Sequence, residues 1–228
     1  MTKKRILIYG DSNTYGFDPD TFGRFDENTR WTKVCQKLLG DEYEIIEEGM
    51  CGRTTCHSCD EADIIATELL EAPFINGLAH IPVCVLSHLP LDAICVKLGS
   101  NDLDVIPVQT PEMIAENAAK VLRKAKELAV SKYPDHPCKF VLMAPLESTE
   151  DALTGSFAES FTEEMIERAK HVAPAYEKKA EEEGFLYFNA NRYAKCGRTD
   201  GTHLDAQNHA KLAEAAAEWI KANIYQKN

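Results

Sequence analysis

Basic residues are scarce in this sequence. Its 228 residues include 25 lysines and arginines against 37 aspartates and glutamates, a formal charge of −12 at pH 7. Proteins that bind nucleic acids or anionic membrane surfaces do so through clustered lysine and arginine. The charge balance therefore argues against nucleic acid and membrane partners and favours a small molecule or another protein as the partner.

Long apolar runs are missing as well. The apolar stretch after Arg5 ends at Asp11, so it is too short for a signal peptide and far below the roughly 20 residues of a membrane span. Eight cysteines are present, and several of them lie in apolar runs. In a chain without a secretory signal we expect free thiols that pack as small hydrophobic side chains in a reducing cytoplasm.

A complete zinc-binding pattern is absent too. Cys51, Cys56, His57 and Cys59 fall within nine residues, and Cys56-x-x-Cys59 has the spacing of half a zinc site. No second pair of this kind follows in the sequence. We therefore expect thiols on a loop and the next helix that hold no metal.

Strand and helix patterns alternate along the chain. Five short runs rich in β-branched or aromatic residues predict buried strands, and they cover residues 5–9, 43–47, 93–98, 139–144 and 185–189. Apolar residues at helical spacing predict helices over 110–131, 161–183 and 206–224. The first of these helices opens with Thr110 before Pro111, an N-cap residue followed by proline at the first helical position.

No repeat, linker or composition shift divides the chain, so one domain is expected over residues 1–228. The alternation predicts an α/β fold in which a five-stranded parallel sheet lies between two helical layers, an α/β/α sandwich. Right-handed crossovers favour the flavodoxin-like strand order, with a ligand cleft at the carboxyl ends of the strands. The two longest irregular stretches, 15–31 and 147–160, follow the first and fourth strands and should overhang that cleft.

The first predicted strand leads into Gly10-Asp11-Ser12-Asn13-Thr14. A serine at the carboxyl end of a central strand, beside a helix amino terminus, has its hydroxyl in the cleft among backbone N–H groups. Ser12 is therefore a candidate nucleophile. The same residues are compatible with a helix cap, or with a hydroxyl-rich loop that cradles a phosphate as in flavin-binding modules.

A second motif, Asp200-Gly201-Thr202-His203, lies between the fifth predicted strand and the last helix. It should open onto the same sheet edge as Ser12. The spacing of three lets the Asp200 carboxylate accept a hydrogen bond from one imidazole nitrogen of His203, while the other nitrogen takes the proton of the serine. The alternative is an aspartate N-cap followed by a surface histidine.

Two further groups end the second and third predicted strands. Asn101, in Gly99-Ser100-Asn101-Asp102, can aim its side-chain amide at the oxyanion of a tetrahedral intermediate. Gly52 lets the backbone approach a ligand closely and offers its N–H as a donor. Each alone could serve as a cap or a turn, but four such groups at the ends of four strands favour a catalytic site.

The blocks Gly10-Asp11-Ser12, Gly52, Gly99-x-Asn101-Asp102 and Asp200-x-x-His203, in this order, resemble the SGNH hydrolases, also called the GDSL esterase/lipase family. The resemblance implies Ser12 as nucleophile, His203 as general base and acid, and Asp200 as its orienting partner. It implies oxyanion-hole donors at the Ser12 N–H, Gly52 and Asn101, and a reaction without a metal or organic cofactor.

The segments 30–31, 48–55, 87–92 and 200–205 further resemble the arylesterase and acyltransferase branch of that family. This implies a serine esterase for small or medium soluble esters, with acyl transfer to other alcohols and homo-oligomers among its members. Related enzymes deacetylate sugars, so a carbohydrate O-deacetylase is an alternative. We expect the substrate to contact Trp31 as an apolar wall, Cys51 beside the oxyanion donor, and Arg53 through its charge.

The sequence departs from the family name at Asn13, where many members have leucine. Five other polar residues near the motifs are expected to be structural, namely Asp11, His88, Asp92, Asp102 and His209. Two hypotheses from other classes stay open at this point, a flavodoxin-like binding module and a catalytically silent SGNH-like scaffold.

Overall fold

The computed structural model describes residues 3–57, 75–105 and 107–224. Seven strands lie in this part of the chain: β1 (Lys4–Gly10), β2 (Phe17–Asp18), β3 (Gly23–Arg24), β4 (Tyr43–Gly49), β5 (Ala93–Lys97), β6 (Lys139–Ala144) and β7 (Leu186–Asn189). The helices of the same part are α1 (Ser12–Tyr15), α2 (Trp31–Leu39), α3 (Gly77–His88), α4 (Pro111–Lys132), α5 (Glu163–Ala169), α6 (Val172–Glu183) and α7 (Ala206–Asn223).

Five of the strands form the central sheet in the order β4-β1-β5-β6-β7, and all neighbouring pairs are parallel. This is the flavodoxin-like order, and it confirms the predicted α/β fold. The chain leaves β1 in the middle of the sheet, at the point where the strand order reverses. In such sheets the crevice for a ligand lies at that point, outside the carboxyl ends of the strands.

The two faces of the sheet are covered by different helices. Leu7 and Tyr9 of β1 pack into a core with α3, α4 and α6, whereas Ile6 and Ile8 pack into a second core with α2 and α7. The alternation follows from the pleat of a strand, which sends successive side chains to opposite faces. Because both faces are buried, β1 reads as a continuous apolar run.

The helix prediction over 161–183 is wrong in one respect, since two helices occupy this segment. α5 begins after Thr162, whose side chain accepts a hydrogen bond from the Met165 N–H. A break follows at Lys170 and His171, and α6 then carries Pro174 in its first turn. A continuous helix would force the Pro174 ring against the carbonyl of Lys170 four residues earlier.

Two helices, α2 and α3, were not predicted. α3 has Asn76 as its N-cap but contains Pro82 and is apolar on almost every side, so its sequence lacks both helical periodicity and a clean interior. The two irregular stretches also contain local structure. The first holds the antiparallel β2–β3 hairpin, and the second holds short 3₁₀ turns at Glu150–Leu153 and Ala158–Ser160.

A glycine at the end of β4 brings the second strand against the start of α1. A Cβ atom on Gly49 would lie 2.1 Å from the backbone nitrogen of Tyr15. Any side chain at this position would therefore push the two segments apart. This close approach places the loop that contains Gly52 next to the turn that presents Ser12.

Candidate active site

Ser12 is the first residue of α1, directly after the central strand β1. Asp11 caps the helix by accepting a hydrogen bond from the Asn13 N–H at 3.0 Å. The N–H groups of a helix's first turn have no acceptor inside the helix. The serine side chain stands at the start of this short helix, in the crevice that the sheet topology provides.

Asp200 and His203 lie in the loop that runs from β7 to α7. Gly201 has a φ of 67°, and a Cβ there would lie 2.1 Å from the backbone nitrogen of Ala152. The loop is therefore folded tightly against the segment that follows β6. The Asp200 carboxylate accepts hydrogen bonds from the backbone N–H groups of Thr202 at 3.0 Å and His203 at 2.9 Å.

The three predicted catalytic side chains form one hydrogen-bonded chain. Asp200 Oδ2 lies 2.7 Å from His203 Nδ1, and His203 Nε2 lies 2.9 Å from Ser12 Oγ. Asp200 is fully buried, whereas Ser12 and His203 line a cleft. This is the geometry by which a carboxylate orients an imidazole toward a serine hydroxyl.

Asp200 is held in its ionised form. Burial by itself would raise the pKa of Asp200, but the hydrogen bond and charge of His203, together with the two backbone N–H donors, bring it below its ordinary value. A carboxylate ionised at neutral pH can stabilise the imidazolium that forms when His203 takes a proton.

Sequence reasoning missed the role of Asn13. Its Nδ2 donates to the Thr202 carbonyl at 3.0 Å, and its Oδ1 accepts from the Leu204 N–H at 2.9 Å. One amide side chain thus joins the residue after the nucleophile to both neighbours of His203. The one indication in the sequence was a polar residue at a position where many members of the family that it resembles have leucine. The hydrogen-bond partners of Asn13 are identified only in the folded chain.

Gly52 and Asn101 lie on the cleft with Ser12, as predicted. Gly52 has a φ of 72°, which is readily adopted only by glycine. Asn101 opens a 3₁₀ turn after β5, and its Nδ2 donates to the Arg53 carbonyl at 2.9 Å. An asparagine amide carries two hydrogens, so a second one is available to a ligand.

Buried acidic residues brace these loops, in agreement with the predicted structural roles of Asp11 and Asp102. Asp11 Oδ2 accepts from the Ser100 hydroxyl at 2.6 Å. Asp102 accepts from the N–H and the hydroxyl of Thr55. Burial, together with the charge of Asp11, raises the pKa of Asp102 to about 6 despite the hydrogen bonds from Thr55.

The cleft has a volume of about 590 Å³, and one of its walls is aromatic. The ring centroids of Phe17 and Phe157 lie 4.5 Å and 5.8 Å from that of His203. Phe22 lies 6.1 Å from Phe17 and 5.9 Å from Phe157, and it is 61% exposed. We call these three rings the phenylalanine wall. They come from the two irregular stretches that were predicted to overhang the cleft.

The structure corrects two of the three predicted substrate contacts. Trp31 is fully buried in the core under α2 and α7, and its Nε1 donates to the Asn13 carbonyl at 3.0 Å. Arg53 is 2% exposed, and its guanidinium donates to the Gly10 carbonyl and lies over the Tyr9 ring. Both side chains are occupied inside the protein, so neither reaches the cleft. Cys51 does line the cleft, and burial raises the pKa of its thiol to about 11.

The other polar residues singled out from the sequence lie away from the cleft. His88 contacts Glu48 at 3.1 Å, Asp92 accepts from the Arg5 N–H, and His209 is fully buried on α7.

Cys59, from the half zinc-binding pattern, lies outside the described residues. Within the described ranges, no group of three or more potential metal ligands is assembled, and no helix is long and apolar enough to cross a membrane.

Comparisons with known proteins agree with this geometry. Residues 6–216 match the GDSL-like lipase/acylhydrolase family. The structure resembles that of the aryl esterase of M. smegmatis, with 28% sequence identity and a TM-score of 0.83 over 96% of this chain and 99% of that one. It also resembles a carbohydrate acetylesterase family member from Sinorhizobium meliloti, with 29% identity and a TM-score of 0.80 over 96% and 98% of the two chains. No curated protein sequence matches.

The family match spans the nucleophile turn, both oxyanion candidates and the loop of Asp200 and His203. These are the residues that the folded chain gathers at one edge of its sheet. This chain therefore belongs to the GDSL-like lipase/acylhydrolase family, whose SGNH fold it has and whose members hydrolyse esters.

Proposed function

We propose that this protein is a serine esterase for small or medium soluble esters with an apolar alcohol half. The observation that carries this proposal is the unbroken chain from Asp200 through His203 to Ser12, with heavy-atom distances of 2.7 and 2.9 Å. A phosphate-binding loop or a silent scaffold would have no use for a buried carboxylate that orients a histidine toward a serine.

The reaction follows from the proton positions. His203 Nε2 takes the proton of Ser12 as Oγ attacks the ester carbonyl, and Asp200 stabilises the resulting imidazolium. The same nitrogen then gives its proton to the leaving alcohol oxygen as the C–O bond breaks. A water molecule, deprotonated by His203, then attacks the acyl carbon. As the bond to Ser12 Oγ breaks, His203 returns the proton to Oγ and the acid is released.

The oxyanion of each tetrahedral intermediate would be bound on the opposite side of Ser12. The candidate donors are the N–H groups of Ser12 and Gly52 and the second amide hydrogen of Asn101. Asn101 is well suited because its bond to the Arg53 carbonyl holds the side chain in place before substrate arrives. Donors preorganised in this way stabilise charge without rearranging during the reaction.

The phenylalanine wall indicates which half of the ester meets it. His203 must reach the leaving oxygen to protonate it, so the alcohol half passes beside the imidazole. Two of the three rings lie against that imidazole. An aryl or other apolar alcohol would bury apolar surface there, and aromatic pairs gain further from edge-to-face contact.

Deacetylation of a sugar is the second candidate, and one observation favours it. Arg24 and Asp104 also line the cleft, so its polar side could accept a hydroxylated alcohol. The two candidates differ in the leaving group. A comparison of kcat/KM for phenyl acetate, ethyl acetate and acetylated glucose separates the two candidates. An esterase for apolar alcohols prefers phenyl acetate, and a sugar deacetylase prefers acetylated glucose. Addition of a second alcohol to the assay measures acyl transfer.

The experiment for the reaction itself uses Ser12→Ala. We expect it to abolish the hydrolysis of phenyl acetate above the rate without enzyme. Ser131→Ala removes an exposed hydroxyl near the end of α4, away from the cleft, and serves as the matched control. Turnover by Ser12→Ala equal to that of the wild type would refute the proposal.

A further inference from the structure

A fully buried lysine lies beneath the nucleophile turn and has no part in the reaction described so far. Lys97 is the last residue of β5, where it pairs with Gly10 of β1. Two residues earlier, Cys95 packs into the core under α2 and α7, so the Lys97 side chain points to the same face. Lysine is almost never fully buried unless its charge is paired.

The Lys97 ammonium faces the carboxylate of Asp11. Lys97 Nζ lies 3.9 Å from Asp11 Oδ1, and both side chains are fully buried. Within the described ranges, Nζ has no hydrogen-bond partner. The pair is therefore held together by charge rather than by a direct hydrogen bond, and in a buried environment that attraction is weakly screened.

Asp11 builds the nucleophile turn through both of its carboxylate oxygens. One oxygen accepts from the Asn13 N–H, which caps α1, and the other accepts from the Ser100 hydroxyl. Asp11 also lies close enough to the buried Asp102 for its charge to raise the pKa of that residue. A buried carboxylate that faces a second one is unfavourable unless a cation or hydrogen-bond donors stabilise it.

We propose, on the basis of the esterase function above, that Lys97 is a positioning residue for catalysis. Its buried ammonium stabilises the buried Asp11 carboxylate, and that carboxylate holds the turn that aims Ser12 Oγ at His203. Lys97 does not line the cleft, so it acts on the placement of the nucleophile and not on substrate binding.

A second buried group on the same face agrees with this placement. His209 Nδ1 accepts from the Trp31 N–H at 3.2 Å, so its proton lies on Nε2. Burial, together with the charges of Lys97 and His203, lowers the pKa of His209 to about 4. This neighbour is therefore neutral and adds no second positive charge beside Lys97.

The test is a double-mutant cycle of Lys97→Met and Asp11→Asn, measured with phenyl acetate. A misplacement of about 1 Å can reduce turnover on the order of 10²-fold, so we expect kcat of Lys97→Met to fall roughly 10- to 100-fold with KM changed less than about threefold. Lys139→Met, at the exposed start of the neighbouring strand β6, is the matched control.

Two readouts distinguish positioning from a loss of folded protein. A fluorophosphonate should label Lys97→Met to the same final stoichiometry as the wild type but more slowly. The double variant should be no slower than Asp11→Asn alone, because Lys97 acts through Asp11. Unchanged kcat in Lys97→Met, incomplete labelling that accounts for the loss, or losses that multiply in the double variant would each overturn the proposal.

A folding failure of the single variant is also informative. If Lys97→Met does not fold, the double variant, which leaves no unpaired buried charge, should fold and match Asp11→Asn. A double variant that also fails to fold would contradict the role assigned to this pair. Wild-type protein that neither hydrolyses esters nor takes the label would refute the proposed function itself, and the role of Lys97 would fall with it.

Discussion

The amide of Asn13 shows how a single side chain can hold two distant parts of a site in register. It joins the nucleophile turn to the loop of His203 across 189 and 191 positions of sequence. The residue types of the catalytic chain could be predicted, because serine, histidine and aspartate each have a defined role in acyl transfer. The Asn13 bonds could not, because nothing local identifies the Thr202 carbonyl and the Leu204 N–H as partners.

Asn13→Ala would remove both bonds and leave the Leu204 N–H without its partner, while the Thr202 carbonyl would keep only the Cys196 thiol as a donor, at 3.1 Å. A buried polar group left unsatisfied costs roughly 1–3 kcal/mol. We therefore expect the free energy of unfolding, from urea denaturation, to fall by about 2 kcal/mol and kcat to fall with it. Asn28→Ala, at an exposed turn, is the control. Equal stability of the Asn13 variant and the wild type would show that the two bonds contribute nothing.

Asn101→Ala tests the oxyanion side of the site. Loss of one oxyanion donor reduces turnover on the order of 10² to 10³-fold in enzymes of this kind, and we expect kcat for phenyl acetate to fall within that range. The thermal unfolding curve should keep its cooperative shape. A loss below about threefold would remove Asn101 from the oxyanion hole.

At the scale of elements, the hairpin that carries Phe17 and Phe22 is anchored to the sheet by Glu47 of β4. Its carboxylate pairs with Arg24 and Arg30, each at 2.9 Å, and accepts from the Thr32 hydroxyl. Burial alone would raise the pKa of Glu47, but the hydrogen bonds of Arg30 and Thr32 and the arginine charges hold it below its usual value.

Glu47→Gln would weaken this anchor. Hydrogen bonds to charged groups contribute roughly 1.5–3 kcal/mol, so we expect a loss of about 2 kcal/mol in the free energy of unfolding. KM for phenyl acetate should rise because the phenylalanine wall is held less firmly. Glu44 lies on the same strand as Glu47 and forms a partly exposed pair with Arg5 of β1. Glu44→Gln breaks that pair and should change stability by less than about 0.5 kcal/mol. Parallel behaviour of the two variants would contradict the anchoring role.

The strands of the sheet were predictable to within two residues at each end, because each is a short apolar run, rich in β-branched or aromatic residues, that is bounded by polar residues or glycine. Pro174 could have indicated the break between α5 and α6, because proline disfavours a helix interior. The apolar periodicity on both sides of the break favoured one continuous helix instead. The Glu47 anchor could not be predicted, since its partners are brought together by the hairpin and not by any spacing.

At the scale of the whole molecule, stability should respond to pH through His209. The folded protein keeps this residue neutral down to about pH 4, whereas the unfolded chain binds a proton near pH 6.5. Between these values the unfolded state binds more protons, so the free energy of unfolding falls as the pH is lowered. The shift corresponds to roughly 3 kcal/mol.

Asp102 acts in the opposite direction. Its pKa is raised to about 6 in the folded protein, so its contribution to stability decreases as the pH rises from 3.8 through 6. The two effects overlap, and the comparison of wild type with His209→Gln isolates the histidine. We expect the stability difference between them to shrink from pH 7 to pH 4 in urea titrations. A difference independent of pH would contradict a neutral, buried His209.

The whole-molecule arrangement was the most predictable feature. Each of the four motifs follows a predicted strand, and parallel strands in this order bring their carboxyl ends to one edge. The same rule could not place Trp31 and Arg53, because it says where a loop begins and not which way its side chains turn. Both proved to be internal supports of the nucleophile turn.

The central claim is that Ser12 is the nucleophile, and the most direct measurement is fluorophosphonate labelling followed by peptide mass spectrometry. The account predicts one label per chain, on the peptide that contains Ser12, with labelling slowed by phenyl acetate and absent in Ser12→Ala. No labelling of the folded wild-type protein, or a label on another residue that persists in Ser12→Ala, would contradict it.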